Sequence, residues 1–598
     1  MRSHPMLHIE AASFTMPAMR KRLLIFLLFP LTSILALEVP PGGTEIGGAL
    51  QASANPSAGT VESMAKGKRI YITEGDDARS YRAQFTLPCK GTIKKDERVF
   101  AIIRARVVGD AAFGEIQAKL QLKGAPYTSY APTISVAIHR EWTDQPVNFP
   151  ASEDIAPDAA AVVLLCGQKE QIIEVESIQV LKYPATTDLS IFPKAKGIKR
   201  TYVGREPDAP WRMAALKRIE KHRKADLSLA ITDGGGFPLP NTEVNVRLSR
   251  HEFGFGSAIT AKHMVGTNDD DKRYREIIDR LFSIVVFEND LKDGNWSPDL
   301  DASKRSQRNA DLNKAFDWFS GRHIPVRGHY LMQVATPYNL HGITDPEIIR
   351  QRTLASVRER LGFVKDRVIE WDVVNHPIAW NGADMLNKRK GLEKLDREVF
   401  KDARSLTALP FFINEDQVFR PGPQCDETHA YIKSLIADGF SVAGLGNQAH
   451  FHETYLPSAT HLLEVTDRFA EIVKHQTITE FDIVTTDDEE LAADYTRDVL
   501  ITVFSHPAYT SFLLWGFWEG SHWKPEAASW NRDWSIRQRG QVLEDWIGKK
   551  WRTDMKLKTD ENGQISWRGF PGWYEVTTPT QKKAVNLPMK QPQGKIVF

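Results

Sequence analysis

Residues Gln476-Thr-Ile-Thr-Glu-Phe-Asp-Ile483 decide how this chain is read. Apolar and β-branched residues run up to Glu480, and a polar segment, Val484-Thr-Thr-Asp-Asp-Glu-Glu490, follows. A strand buried on both faces has this pattern when it delivers one acid to its C-terminal end. In a (β/α)8 barrel that end carries the chemistry. An acid at a strand end also serves as half of a structural ion pair, so these eight residues alone leave the role of Glu480 open.

Working outward, residues 251–550 hold eight strand-like runs, at 253–258, 283–287, 326–331, 368–374, 410–414, 442–449, 477–483 and 511–517. Stretches of helical period separate them, for example 350–363 and 492–504. Strand and helix alternating eight times over about 300 residues predicts an α/β fold, a (β/α)8 barrel.

The flanks read differently. Residues 37–66 are rich in Gly, Pro, Ser and Ala and form a linker. Residues 67–183 alternate with period two between Gly, Pro and Asp turns, which predicts an all-β sandwich. Such a module beside a secreted hydrolase serves as a carbohydrate-binding unit or as a packing domain, and the sequence shows no aromatic platform to choose between them. Residues 184–226 are a basic, Pro-containing linker and a helix whose basic face reads as solvated. Residues 227–250 read as a β-hairpin and 551–598 as a small β-unit, and the two are expected to pack as one β-domain beside the barrel's ends.

Composition sets bounds on the whole. With 77 Lys+Arg against 76 Asp+Glu, nothing argues for nucleic acid or a polyanionic partner. The 15 Trp supply flat apolar surface of the kind that stacks on sugar rings and fills cores. Arg20-Lys21-Arg22, the apolar run 23–31 and the small residues ending at Ala36 read as a secretory signal, with the true start at Met16 or Met19. That run is short for a membrane span, and no later stretch is long enough to be one. The three cysteines, Cys89, Cys166 and Cys425, have no metal-ligand spacing; Cys89 and Cys166 share the sandwich as a disulfide or as two free thiols.

Five predicted strand ends share one character. They carry Glu288-Asn289-Asp290-Leu-Lys292, Arg327-Gly328-His329, Trp371-Asp-Val-Val-Asn375-His376, Gln448-Ala-His450 and Trp515-Gly-Phe-Trp-Glu-Gly-Ser-His-Trp523. Donors, acceptors and indoles around one cavity suit a polyhydroxylated ligand. Four strand-end histidines, His329, His376, His450 and His522, with Glu480 also raise a metal site, but no paired-His spacing follows the first strand.

On these motifs residues 251–550 resemble glycoside hydrolase family 10, the retaining endo-1,4-β-xylanases. Glu288-Asn289 with Lys292 is similar to that family's Glu-Asn-x-x-Lys, Arg327-Gly328-His329 to its Arg-Gly-His, Trp371 to Asn375 to its Trp-Asp-Val-Val-Asn and Gln448-x-His450 to its Gln-x-His. Ile478-Thr479-Glu480-Phe481-Asp482 is similar to Ile-Thr-Glu-Leu-Asp, whose Glu is the nucleophile, and Trp515 and Trp523 keep the family's tryptophan spacing. The resemblance implies Glu480 as nucleophile, with Glu288, Asn289, Lys292, His329, Asn375, Gln448, His450, Trp515 and Trp523 on substrate, and neither cofactor nor metal.

The departures carry as much weight. Where the family places its acid/base Glu after Trp-Asp-Val-Val-Asn, this chain has His376-Pro377. Gln333 and Val334 stand in place of the family's Trp-His pair, and strand five ends in Asn414-Glu415 where Asn-Asp is common. An imidazolium at 376 is a competent acid near its ordinary pKa of about 6.5, though its positive charge opposes an oxocarbenium-like transition state. Glu415 and Glu519 are alternative acids. The expected activity is therefore hydrolysis of β-1,4-xylan or a related plant or algal polysaccharide, with Glu480 and His376 as the catalytic pair. The alternatives are a non-catalytic or weakly active glycan-binding barrel and a glycosidase specialised for another polysaccharide. The expected setting is secreted or periplasmic, with a polysaccharide partner and a monomeric state. N-terminal sequencing of the exported protein should begin just after Ala36; detection of residues 20–36 on it would refute the signal.

Overall fold

The computed structural model describes residues 37–598 apart from 110–112, 194–199, 298, 379–384, 421–422, 454 and 486–487. The expected signal at 1–36 and the start at Met16 or Met19 lie outside the described residues.

Eight parallel strands close into a barrel: β1 (Gly254–Ile259), β2 (Ile284–Phe287), β3 (Val326–Gln333), β4 (Trp371–Asn375), β5 (Phe411–Glu415), β6 (Gly444–Asn447), β7 (His475–Val484) and β8 (Tyr509–Leu514). Each pairs with its neighbours in chain order, and the ring closes where β1 pairs with β8 through Gly254 and Ser511. A short segment, His450–His452, adds to the C-terminal end of β7, with His450 opposite Asp482. The strands are buried on both faces because helices cover the outside and side chains fill the inside, which is why they read as near-continuous apolar runs. Several expected runs overshoot the ladder. Val368 and Phe517 are buried in the segments that enter β4 and leave β8, so apolarity continues where strand pairing has stopped.

The interior is not uniformly apolar. Arg327 on β3 is fully buried and ion-paired to Glu370 and Asp372. Asp372 Oδ2 in turn lies 2.9 Å from His329 Nδ1.

Residues 225–232 and 243–251 do not form the hairpin expected of them. The first strand pairs with Gln564–Gly569 and Gln593–Val597, the second with Asp554–Lys558 and Gly572–Thr577, in two separate sheets. Each has one apolar face, Leu227, Leu229 and Ile231 on one and Val244, Val246 and Leu248 on the other. Packing the sheets against each other buries both faces with Trp567, Tyr574 and Leu587, whereas a lone hairpin would leave one wet. The unit lies under the N-terminal end of the barrel, where Trp573 stacks on His323 at 3.7 Å between ring centroids.

Residues 44–183 fold into two antiparallel sheets of six and five strands around a separate core, and the stretch 37–66, expected as a linker, instead supplies the strands Thr44–Glu45, Gln51–Ala54 and Gly59–Ser63. Cys89 and Cys166 are buried free thiols. The outer face of the six-stranded sheet places Tyr71 and Trp142 beside Arg69, Glu174 and Arg106, with Arg106 over the Trp142 ring at 4.8 Å. The helix Pro210–Arg223 turns arginines inward rather than to solvent. Arg212 pairs with Asp498 at 2.7 Å, and Arg223 donates to the Phe504, His506 and Tyr509 carbonyls, closing the end of the helix Glu489–Ser505. At the other end of that helix Asp488 accepts from the Leu491 N–H, so the acidic run there is a cap.

Replacing Arg327 by Met should strand two buried carboxylates and cost about 3–5 kcal/mol of barrel stability. Calorimetry of the barrel's unfolding transition measures it, and an unchanged transition would show that the charges are not held as pairs.

Candidate functional site

The C-terminal ends of the strands open into a cleft of about 420 Å³. Its lining includes Glu288, Asn289, Lys292, His329, Asn375, His376, Gln448, His450, Glu480, Trp515 and Trp523, so the expected catalytic pair and all the expected substrate-binding residues face one cavity, while His522 is not in the lining. The sequence reading did not single out Asp416, Arg420, Phe451, His452 and Lys524, which also line it. Asp416, Arg420 and Lys524 lie beyond the barrel strands' ends, and Phe451 and His452 in the short segment added to β7, where neither periodicity nor motif marks them.

Glu480 lies at the centre on β7. Its Oε1 accepts from Asn414 Nδ2 at 2.7 Å and lies 4.0 Å from His329 Nε2; its Oε2 lies 3.2 Å from His450 Nε2. Burial pushes this carboxyl's pKa up, but His450, His329 and Lys292 outweigh it and bring it down to about 2. The counterpart is His450. Burial favours its neutral form, yet Asp482, 3.0 Å from Nδ1, and Glu480 raise its pKa to about 10. Glu480 and Asp482 are two residues apart on one strand and therefore share a face, so one imidazolium serves both.

The surroundings divide by character. On the β2–β3 side, burial lowers the pKa values of Lys292 and His329 and raises that of Glu288. Trp515 is edge-on to His329 at 5.0 Å, with the Lys292 ammonium 5.4 Å from its ring. On the β4–β6 side the groups are neutral amides. Asn414 Nδ2 donates also to Asn375 Oδ1 at 2.9 Å, Gln448 Nε2 donates to the same oxygen at 3.1 Å, and the His376 ring lies 3.2 Å from Gln448 Nε2. Trp523 is 49% exposed at the rim, and its indole N–H donates to Asp482 at 2.7 Å.

The two carboxylates considered as alternative acids stand elsewhere. Glu415 is fully buried, accepts from the Ile378 and Asp416 N–H groups at 2.7 and 2.8 Å, and does not line the cleft. Glu519 is paired with Arg537 at 2.8 Å and lies outside the lining too. Glu415 Oε1 does stand 3.8 Å from His376 Nδ1. Among the described residues no group of three His, Cys, Asp or Glu side chains is placed to hold a metal ion, and no helix among them is long and apolar enough to cross a membrane.

A barrel with an ionised carboxylate at a strand end, amides for hydroxyls and an indole rim belongs to the carbohydrate-active class of folds. Residues 246–538 match the model of glycosyl hydrolase family 10. The chain is similar to the anti-sigma-I factor RsgI6 of Acetivibrio thermocellus, with 28% identity over 377 residues, 62% of this chain and 47% of that one. It is similar to endo-1,4-beta-xylanase 1 of Arabidopsis thaliana, with 24% identity over 428 residues, 68% of this chain and 43% of that one. The chain thus spans less than half the length of these curated relatives. Among solved structures, xylanase 10B from Thermotoga petrophila RKU-1 in complex with xylobiose aligns at 20% identity with a TM-score of 0.44, covering 50% of this chain and 95% of that one.

Because the pKa of His450 rises from 6.5 to about 10 on folding, its ion pairs stabilise the fold in full below about pH 6.5 and are lost as pH rises through about 10. Glu480, lowered from 4.5 to about 2, contributes above pH 4.5 and is lost as pH falls through about 2. His450→Gln should cost about 3–5 kcal/mol at pH 6, and the deficit should shrink as pH is raised through the alkaline range. Denaturant unfolding at a series of pH values checks both, and a deficit independent of pH would refute the charged imidazole.

Proposed function

We propose that this protein is a retaining glycoside hydrolase acting on β-1,4-xylan or a related polysaccharide. Glu480 attacks the anomeric carbon, and His376 occupies the acid/base position. The observation that carries this reading is the state of Glu480: a buried carboxylate kept anionic by His450, His329 and Lys292 at the C-terminal end of a barrel strand. A nucleophile must be ionised, and a fixed anion also stabilises an oxocarbenium-like transition state.

In the first step the His376 imidazolium gives its proton to the leaving oxygen while Glu480 forms a glycosyl ester. In the second, neutral His376 takes a proton from water, which attacks the same carbon and frees Glu480. Asn375 and Gln448 hold hydroxyls beside the bond, and Glu288, Asn289 and Lys292 hold the sugar on the far side. The outer face of the sandwich, with Tyr71 and Trp142 beside charged partners, is proposed to contact the same polysaccharide. Residues 1–36 are proposed to direct the protein out of the cytoplasm.

A second reading is a barrel that binds glycan without cleaving it. It is favoured by an imidazole at the acid position with Glu415 bound to two backbone N–H groups outside the lining.

Two substitutions separate these readings. Glu480→Gln should abolish turnover of aryl β-xylosides while glycan binding survives; full activity would remove Glu480 from the mechanism. His376→Glu should raise xylan hydrolysis by about 10²–10⁴, the usual worth of a general acid, if the histidine is a weak proton donor. A fall in that variant would mean that the histidine has a role a carboxylic acid does not fill.

A further inference from the structure

Arg420 follows β5 and lines the cleft, and among the described residues its guanidinium has neither a hydrogen bond nor an ion pair. That sets it apart from the arginines around it. Arg200 pairs with Glu453, Arg397 with Asp438, Arg537 with Glu519 and Arg539 with Glu489. Across the same part of the cleft stands Lys524, whose ammonium lies over the Trp523 ring at 4.0 Å and is 3.8 Å from its nearest carboxylate, Asp482. His452 lies near Arg200, Lys524 and Arg420 as well as Glu453; burial and the three cations oppose its protonation, while Glu453 favours it. The rim on the β5–β6 side thus sets two cations, Arg420 and Lys524, against one lining carboxylate, Asp416, in a molecule whose charges nearly cancel, 77 against 76.

A neutral sugar gives such a rim nothing to neutralise it. Two cations set toward one cavity repel each other, and an anion between them removes that repulsion. A guanidinium offers a carboxylate two parallel N–H donors, and an ammonium adds a point charge. The neighbouring indole of Trp523, half exposed, supplies a face for the ring that bears the acid.

We infer that the sugar bound on the β5–β6 side of Glu480 carries a carboxylate, that is, a uronosyl unit in the chain or on a branch, held by Arg420 with Lys524 and stacked near Trp523. The inference rests on the glycan-binding cleft proposed above and gives its substrate class. It does not depend on cleavage.

The test is equilibrium binding by titration calorimetry on the whole protein, with three probes: a neutral xylo-oligosaccharide, the same oligosaccharide bearing a uronosyl branch, and the branched one with its carboxyl reduced to the alcohol. The acidic probe should bind about tenfold tighter or more than its reduced counterpart, the worth of a hydrogen bond to a charged group. That ratio should fall toward one in Arg420→Gln and part of the way in Lys524→Gln. In the unmodified protein added salt should weaken the acidic probe and not the reduced one, which keeps the test independent of how the variants fold. Equal binding of the acidic and reduced probes overturns the inference and leaves the proposed function intact. Binding of none of the three overturns both. Preferential binding with no turnover of any probe upholds the inference while the hydrolase reading fails.

Discussion

Everything at the cleft depends on keeping one anion in a dry place. A carboxylate cut off from water reverts to its acid unless positive charge is built around it. Here that charge comes chiefly from His450, and a chain of buried polar partners runs behind the site through the barrel. Glu370 holds Arg327, Arg327 holds Asp372, Asp372 fixes His329, His329 faces Glu480, and Glu480 shares His450 with Asp482. Each member is buried and justified by the next, so no single pair can be judged alone. The lower members are far from any sugar, yet they set the tautomer and position of the histidine that Glu480 meets.

The other flank of Glu480 obeys a different rule. Asn414, Asn375 and Gln448 are neutral, pass one set of amide hydrogen bonds between them, and end at the His376 ring. Amides both donate and accept, as sugar hydroxyls do, and they change no neighbour's charge. The division makes chemical sense: charge on one side fixes the state of the carboxylate, and neutrality on the other leaves room for a ligand's hydroxyls. The neutral flank ends at His376, with Glu415 Oε1 behind it, 3.8 Å from its Nδ1.

The sequence carried the barrel well because parallel strands covered on both faces leave unbroken apolar runs, and 476–483 is the plainest of them. It carried the site through short motifs at strand ends, where strand geometry turns neighbours in sequence into neighbours in space; Gln448, His450 and Glu480 are of this kind. It failed in two identifiable ways. Arg420 and Lys524 lie in loops and His452 in a three-residue strand, where no period reports which way a side chain faces. The strands at 225–232 and 243–251 looked like a hairpin because adjacency in sequence is the default for pairing, but both had an apolar face to bury. Their partners lie more than three hundred residues away, at Trp567 and Val576. The inward turn of Arg218 and Arg223 was likewise invisible, since a basic helix face reads as solvated unless a helix end with unpaired carbonyls happens to lie beneath it.

The charge inventory of the cleft bears on both proposals at once. Glu480, Glu288 and Asp416 face Lys292, His450, Arg420 and Lys524, so the lining already leans positive before His376 is considered. In a hydrolase acting on a neutral chain, an imidazolium at 376 adds one more cation beside a transition state that is itself becoming positive, and the two repel. A family acid at that position, being neutral, would bring no such penalty. A uronosyl unit on the β5–β6 side changes the sum, because its carboxylate cancels one of the rim cations. His376 at the proposed acid position and Arg420, whose guanidinium has no partner among the described residues, are therefore mutually consistent features, each of which makes more electrostatic sense with an acidic glycan in the cleft than with a neutral one.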